Sequence, residues 1–264
     1  MSKKRDPATA LITGASAGIG AALAREFAAH GHSLLLVARS KPRLEALAEE
    51  IERDHGVRCD ICSTDLHEAN APQRLFDHAQ AAGIEVGVLV NNAGTLLEGA
   101  FAELPLADQL GLLQLNLSAP LALMHLFVQR MRARRSGRIL NIVSTSAFNP
   151  VPSLAVYAAS KAALLSLSEA LALELRGSGV SVTAVCPGFT DTAMIERDGG
   201  GSMRLPLIPN LTPERVAREA YRAGMAGRPL VINGLGNRLS VEGLRHTPLA
   251  LRRELIAAVK RWGF

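Results

Sequence analysis

The chain alternates two kinds of apolar segment. Short runs nearly continuous in Val, Ile, Leu and Ala occupy Ala8–Thr13, Ser33–Ala38, Val57–Thr64, Val86–Asn91, Arg138–Ser144, Val180–Val185 and Pro229–Ile232. Longer stretches with apolar positions three and four apart occupy Ile19–Ala29, Pro42–Asp54, Ala71–Ala82, Leu106–Arg134, Leu154–Arg176 and Pro213–Ala226. Runs of the first kind predict strands buried on both faces, and stretches of the second predict helices. Their repeated β-then-α order predicts an α/β fold: a doubly wound parallel sheet of about seven strands with helices on both faces. Right-handed crossovers then put a ligand crevice at the carboxyl ends of the strands. No linker, repeat or low-complexity tract divides residues 1–264, so a single domain is expected. The irregular stretch 189–211, with Gly199 to Gly201, Pro206 and Pro209, is too long for an ordinary connection and reads as a substrate flap.

Between the first strand and the first helix stands Thr13-Gly14-Ala15-Ser16-Ala17-Gly18-Ile19-Gly20. Glycines permit a tight turn and close backbone approach, and a helix N-terminus offers unpaired N–H groups to phosphate. Gly14, Ser16, Gly18, Ile19 and Gly20 are therefore candidate dinucleotide ligands, and the architecture becomes Rossmann-type. The same string matches the Gly-x-Ser-x-Gly elbow of serine hydrolases. That elbow needs earlier strands and an oxyanion loop, and thirteen residues leave room for one strand only. The turn after the second strand, Ala38-Arg39-Ser40-Lys41, lacks the acid that would hold ribose hydroxyls. Arg39 suits a 2′-phosphate instead, which favours NADP(H) over NAD(H).

Tyr157 and Lys161 lie four residues apart and share one helix face. A phenol titrates near pH 10, so a neighbouring cation is expected to draw it toward working range. Ser144 closes the fifth strand, Asn92-Ala93-Gly94 the fourth and Pro187-Gly188 the sixth, all at the crevice edge.

With these pieces in order, over about residues 8–195, the sequence resembles the short-chain dehydrogenase/reductase family. The resemblance rests on Thr13 to Gly20, Asp65, Asn91 to Gly94, Asn116, Ser144, Tyr157-x-x-x-Lys161 and Pro187-Gly188. It implies that Tyr157 is the acid–base, Ser144 steadies the substrate oxygen, and Lys161 binds the nicotinamide ribose. It further implies that Asn116 holds a proton-relaying water, that Asp65 contacts adenine, and that Asn92, Ala93 and Gly94 line the cofactor. Pro187, Gly188, Thr190 and Thr192 would seat the nicotinamide. The implied activity is hydride transfer between NADP(H) and a ketone, aldehyde or alcohol, in a homodimer or homotetramer built on the long helices. Pro120, shortly after Asn116, is expected to distort its helix and free backbone groups for water.

Composition adjusts this picture at its edges. Net charge is +5, yet residues 213–264 carry ten Arg or Lys against four Glu, so the basicity is C-terminal. With ten scattered aromatics and no basic stripe, nucleic-acid binding is not expected. The extension 236–264 leaves the compact ending of ketoacyl-carrier-protein reductases, and Leu249 to Trp262 read as a basic amphipathic helix. Packing on a subunit is expected there, with an anionic membrane surface or acidic carrier as the alternative. The uncharged segment Gln109–Gln129 contains Gln114, Asn116, Ser118, Pro120 and His125, which fits a buried helix better than a bilayer span. Cys59, Cys62 and Cys186 are an odd, sparse set that suits a reducing cytoplasm, and Cys59 and Cys62 should face opposite ways on a strand. Phe148, Val151, Phe189, Met194, Ile195, Leu205, Leu207 and Ile208 suggest an apolar small-molecule substrate. The alternative to an enzyme is a catalytically silent NADP(H)-binding regulatory protein.

Overall fold

The computed structural model describes residues 8–191 and 210–248, with Leu251 and Glu254. Seven parallel strands form one sheet: β1 (Thr9–Thr13), β2 (Leu34–Ala38), β3 (Cys59–Ser63), β4 (Val86–Asn91), β5 (Gly137–Ile142), β6 (Val180–Cys186) and β7 (Leu230–Ile232). Their spatial order is β3-β2-β1-β4-β5-β6-β7, which reverses direction between β1 and β4. Helices α1 (Gly18–Ala29), α2 (Lys41–His55), α3 (Ala71–Ala81), α4 (Leu106–Leu113), α5 (Ala119–Ala133), α6 (Ala155–Glu174), α7 (Pro213–Met225) and α8 (Leu235–His246) cover it.

The continuous apolar character of the strands has a direct structural cause. Side chains alternate across a strand, so a strand covered on both faces needs apolar residues at successive positions. Ala10, Ile12, Leu34 and Leu36 enter one core with Leu23 and Phe27 of α1, Leu44 and Ile51 of α2, and Ala217 and Ala220 of α7. Leu11, Leu35 and Val37 enter the other with Leu75 of α3, Phe127 and Met131 of α5, and Leu164 of α6. Cys59 packs on the first core and Cys62 on the second, so the pair forms no shared thiol site.

Leu106–Ala133 and Ala155–Glu174 are long and apolar enough to cross a membrane by composition. Here Leu123, Met124, Phe127 and Met131 of the first, and Leu164 and Leu165 of the second, are buried in the sheet-facing core. The first of these helices is not uniform. Between α4 and α5 the residues Gln114–Ser118 form a π-helical turn, in which the Ala119 N–H reaches back five residues to the Gln114 carbonyl. Pro120 has no N–H to offer the Asn116 carbonyl four residues earlier, so the regular ladder fails where the sequence predicted.

Two expectations change at the carboxyl side. Ser144 does not close β5, which ends at Ile142. It opens a 3₁₀ turn, Thr145–Phe148, and its Oγ accepts from the Ser146 N–H at 3.1 Å. Helix α8 was absent from the periodicity, because its buried face carries Asn237 beside Val241 while Leu235 and Leu239 are exposed. Thr192, residues 192–209 of the expected flap, and the predicted tail helix apart from Leu251 and Glu254 lie outside the described residues.

Candidate active site

The site assembles at the carboxyl ends of the paired strands β1 and β4, where the strand order reverses. Thr13 ends β1 and organises the turn: its Oγ1 accepts from the N–H groups of Asn92 and Ala93, both at 2.9 Å. Asn92 answers by donating from Nδ2 to the Thr13 carbonyl at 2.8 Å. Gly14 then takes φ +65°, and a Cβ on it would stand 2.9 Å from Ala93 Cα. At Gly20 the constraint is tighter, since a Cβ would meet the Gly14 carbonyl oxygen at 2.1 Å. Two glycines therefore let α1 begin directly against the loop after β4.

Helix α1 starts at Gly18 behind Ala17, and no side chain caps it. Its first-turn N–H groups are then donors for an anion, reinforced by the helix dipole. Ser16, Gly18 and Ile19 are partly exposed beside them, whereas Ala15 is buried and its N–H is spent on the Val37 carbonyl. A pyrophosphate fits this arrangement.

Arg39 follows β2 with an exposed side chain, and its carbonyl accepts from Ser63 Oγ at 3.0 Å. Asp65 lies near enough to feel its charge. Burial pushes the Asp65 carboxyl up, but bonds from the His67 N–H and ring, aided by Arg39, hold it below its ordinary range. The His67 ring is 2.9 Å from Asp65 Oδ1, so this oxygen already has a partner. As an isolated His in a loop, His67 carries no motif by which the sequence would mark it.

On the other side of the switch point, α6 brings up Tyr157 and Lys161. Ser144 lies close enough to Tyr157 for its hydroxyl to pull the phenol down. Lys161 is buried, donates from Nζ to the Ile142 carbonyl at 3.0 Å, and lies 5.7 Å from the centre of the Tyr157 ring. The two titrate in a direction that corrects the expected one. Burial holds the Tyr157 phenol above its ordinary value, and only the Ser144 hydroxyl opposes it. Burial drives Lys161 down from 10.5 to about 8, against an opposing influence from Cys186. Desolvation is the largest influence on each, so each is disfavoured in its charged form, with Lys161 buried and Tyr157 partly exposed.

Asn116 sits in the π-helical turn with no exposure. Its side chain accepts from the Thr95 N–H and donates to the Thr95 carbonyl, both at 2.9 Å. A Cβ on Gly94 would lie 3.2 Å from Asn116 Oδ1 and 3.5 Å from Lys161 Nζ, so these three positions meet at one point. The sixth strand completes the group: the Thr145 N–H bonds the Pro187 carbonyl at 2.9 Å, which ties the Ser144 turn to Pro187-Gly188. Thr190 is buried and donates to the Gly188 carbonyl at 3.0 Å. The described candidates are thus gathered around one crevice, with Arg39 and Asp65 at its far end.

A parallel sheet in this order, with an uncapped glycine turn facing a Ser–Tyr–Lys group across the switch point, defines a Rossmann-type protein. Residues 8–199 match the short chain dehydrogenase family model. A mouse 17-beta-hydroxysteroid dehydrogenase type 3 is 35% identical over 188 residues, 70% of this chain and 61% of that protein. The very-long-chain 3-oxoacyl-CoA reductase-A of Danio rerio is 32% identical over 221 residues, 82% of this chain and 67% of that one. Among solved structures, a short-chain dehydrogenase from Sphingobium yanoikuyae in complex with NADPH superposes with a TM-score of 0.83 at 32% identity, covering 95% of both chains. A 7beta-hydroxysteroid dehydrogenase gives 0.85 at 26% identity over 98% of this chain and all of that one. The chain belongs to the short-chain dehydrogenase family of oxidoreductases.

Proposed function

We propose that this chain is an NADP(H)-dependent oxidoreductase that interconverts a ketone or aldehyde and an alcohol on an apolar small molecule. The observation that carries the reading is Lys161 Nζ set 5.7 Å from the Tyr157 ring and beside Gly94, with Ser144 near enough to act on the phenol, at the carboxyl edge of the sheet. Bound NADP(H) supplies or accepts the hydride. Gly14 to Gly20 would hold its pyrophosphate at the α1 N-terminus, Lys161 would hold the nicotinamide ribose near Gly94, and Asn116 would hold a water that relays protons to Lys161. Asn92, Ala93, Pro187, Gly188 and Thr190 line its path, and Thr192 is assigned by family resemblance alone. The absence of an acid after β2, with an exposed Arg39 in its place, supports the phosphorylated cofactor. The NADPH complex of the Sphingobium relative agrees with that choice.

In the reductive direction Tyr157 donates its proton to the substrate oxygen while Ser144 hydrogen-bonds the same oxygen. A phenol kept protonated by burial is well prepared for this direction. In the oxidative direction Lys161 must favour the phenolate, which requires it charged. Exposed Leu106, Leu110, Leu121 and Leu173 on α4, α5 and α6 support a homo-oligomer, and the three free thiols support a reducing cytoplasm. The relatives' names are compatible with steroid or acyl substrates and do not choose between them.

Tyr157→Phe tests the assignment. It should keep NADPH binding, read by cofactor fluorescence, and lose about 10²–10⁴ in turnover on any accepted carbonyl. A variant with near-normal turnover refutes Tyr157 as the acid–base. A wild-type chain that binds NADPH without oxidising it against a broad carbonyl panel favours the silent regulatory protein.

A further inference from the structure

The helix that periodicity missed is joined to the cofactor crevice by a buried polar chain. Asn237 of α8 is 6% exposed, and its carboxamide lies flat against Gly188. A Cβ on Gly188 would stand 2.3 Å from Asn237 Oδ1 and 2.5 Å from both Cγ and Nδ2. Asn237 Nδ2 donates to the Asn233 carbonyl at 2.9 Å. Asn233, fully buried, donates from its own Nδ2 to Glu219 at 3.0 Å and from its backbone to the Cys186 carbonyl at 3.2 Å. The same Glu219 oxygen accepts from the Gly234 N–H at 3.2 Å, and its other oxygen accepts from Arg215 at 3.0 Å.

This chain also reaches the base of the segment that leaves the sheet after β6. There the Leu211 N–H bonds the Phe189 carbonyl at 2.8 Å and the Asp191 N–H bonds the Leu211 carbonyl at 3.0 Å. Leu211 packs on Gly234, which takes φ +79°; a Cβ there would be 3.1 Å from the leucine and 3.4 Å from Asn237 Nδ2. One carboxamide therefore braces both the Pro187-Gly188 turn and the paired strand ends beyond it. A carboxamide on the buried face of a helix is costly unless bonded, and this one is bonded locally and packed on a backbone.

We propose that Asn237 is a positioning residue, which holds Pro187-Gly188 and the Phe189–Leu211 pairing in the register needed to seat the nicotinamide half of the cofactor. The inference rests on the cofactor reading above and assigns no contact between Asn237 and substrate. It predicts an effect on one end of the cofactor only, because the adenosine end is held some strands away by Gly14 to Gly20 and Arg39.

The test compares two probes, NADPH and adenosine 2′,5′-bisphosphate, on the full chain. Asn237→Ala should weaken NADPH by about fivefold, the scale of one neutral hydrogen bond, and leave the bisphosphate within about twofold. Turnover should fall by about 10-fold to 10²-fold, as expected when a reacting pair is misplaced by up to an ångström. Gly188→Ala should be impaired through collision with the carboxamide, and adding Asn237→Ala should restore part of the loss. Asn237→Asp keeps the shape and removes the donor, so it serves if the alanine variant does not fold. Parallel loss of both probes indicates general destabilisation and overturns the proposal, as does unchanged NADPH affinity with unchanged turnover. A wild-type chain that binds neither probe sinks the cofactor reading itself, which distinguishes the two failures.

Discussion

Lys161 is buried and still carries an amine, which gives a stability effect of definite sign. In the unfolded chain the amine titrates near its usual 10.5; in the fold, burial lowers it to about 8. Between these values the unfolded state binds a proton that the folded state has released, so stability rises with pH across that window. Below pH 8 the folded state must carry the buried charge, and the full penalty applies. At 1.36 kcal/mol per pH unit, the drop from 10.5 to about 8 corresponds to roughly 3 kcal/mol. Lys161→Met isolates most of the effect, because titrating groups that do not interact with Lys161 are shared and cancel in the difference. Cys186, which does interact, is pushed up to about 12 by burial and stays protonated over the range. The variant also leaves the Ile142 carbonyl without its Nζ donor, a loss that adds an offset and not a pH slope. Urea unfolding of both chains without cofactor, at intervals from pH 7 to pH 10.5, gives the stability difference directly. The wild type should gain about 3 kcal/mol on the variant over that range. A difference that stays flat, or moves the other way, refutes the claim that burial controls this ammonium.

Two further outcomes follow from the geometry. Arg39→Ala should reduce the preference for NADPH over NADH, measured as a ratio of kcat/KM, by about 10-fold to 10²-fold, as for loss of a hydrogen bond to a charged group. An unchanged ratio removes Arg39 from cofactor choice. Asn91 and Asn141 lie side by side in register on β4 and β5, with Asn91 Nδ2 donating to Asn141 Oδ1 at 2.8 Å and Asn141 Nδ2 to Ser168 Oγ at 2.8 Å. Asn141→Leu leaves the Asn91 amide buried without this acceptor and should cost about 2–5 kcal/mol in urea unfolding, whereas Asn91→Leu with Asn141→Leu should recover part of that cost. A double variant as unstable as the single one would show that the amide pair is not the cause.

Most strands and helices could be read from the chain because burial on two faces and burial on one face leave different periods. The glycine turn, the uncharged helix with its proline, and the Tyr157–Lys161 spacing are local signals, since each acts through neighbours within a turn or two. Distant packing settled the rest. Whether Lys161 lowers the Tyr157 phenol depends on what covers both groups, and that cover comes from other strands and helices. Ser144 lies past its strand because it caps the 3₁₀ turn Thr145–Phe148, which the Thr145 N–H ties to the Pro187 carbonyl some forty residues away. Helix α8 leaves no clear period because its inward face bears an asparagine, which the Asn233 carbonyl and the backbone of Gly188 together make a suitable core residue. Periodicity records which residues avoid water; the particular atoms that replace the water are fixed by the tertiary structure.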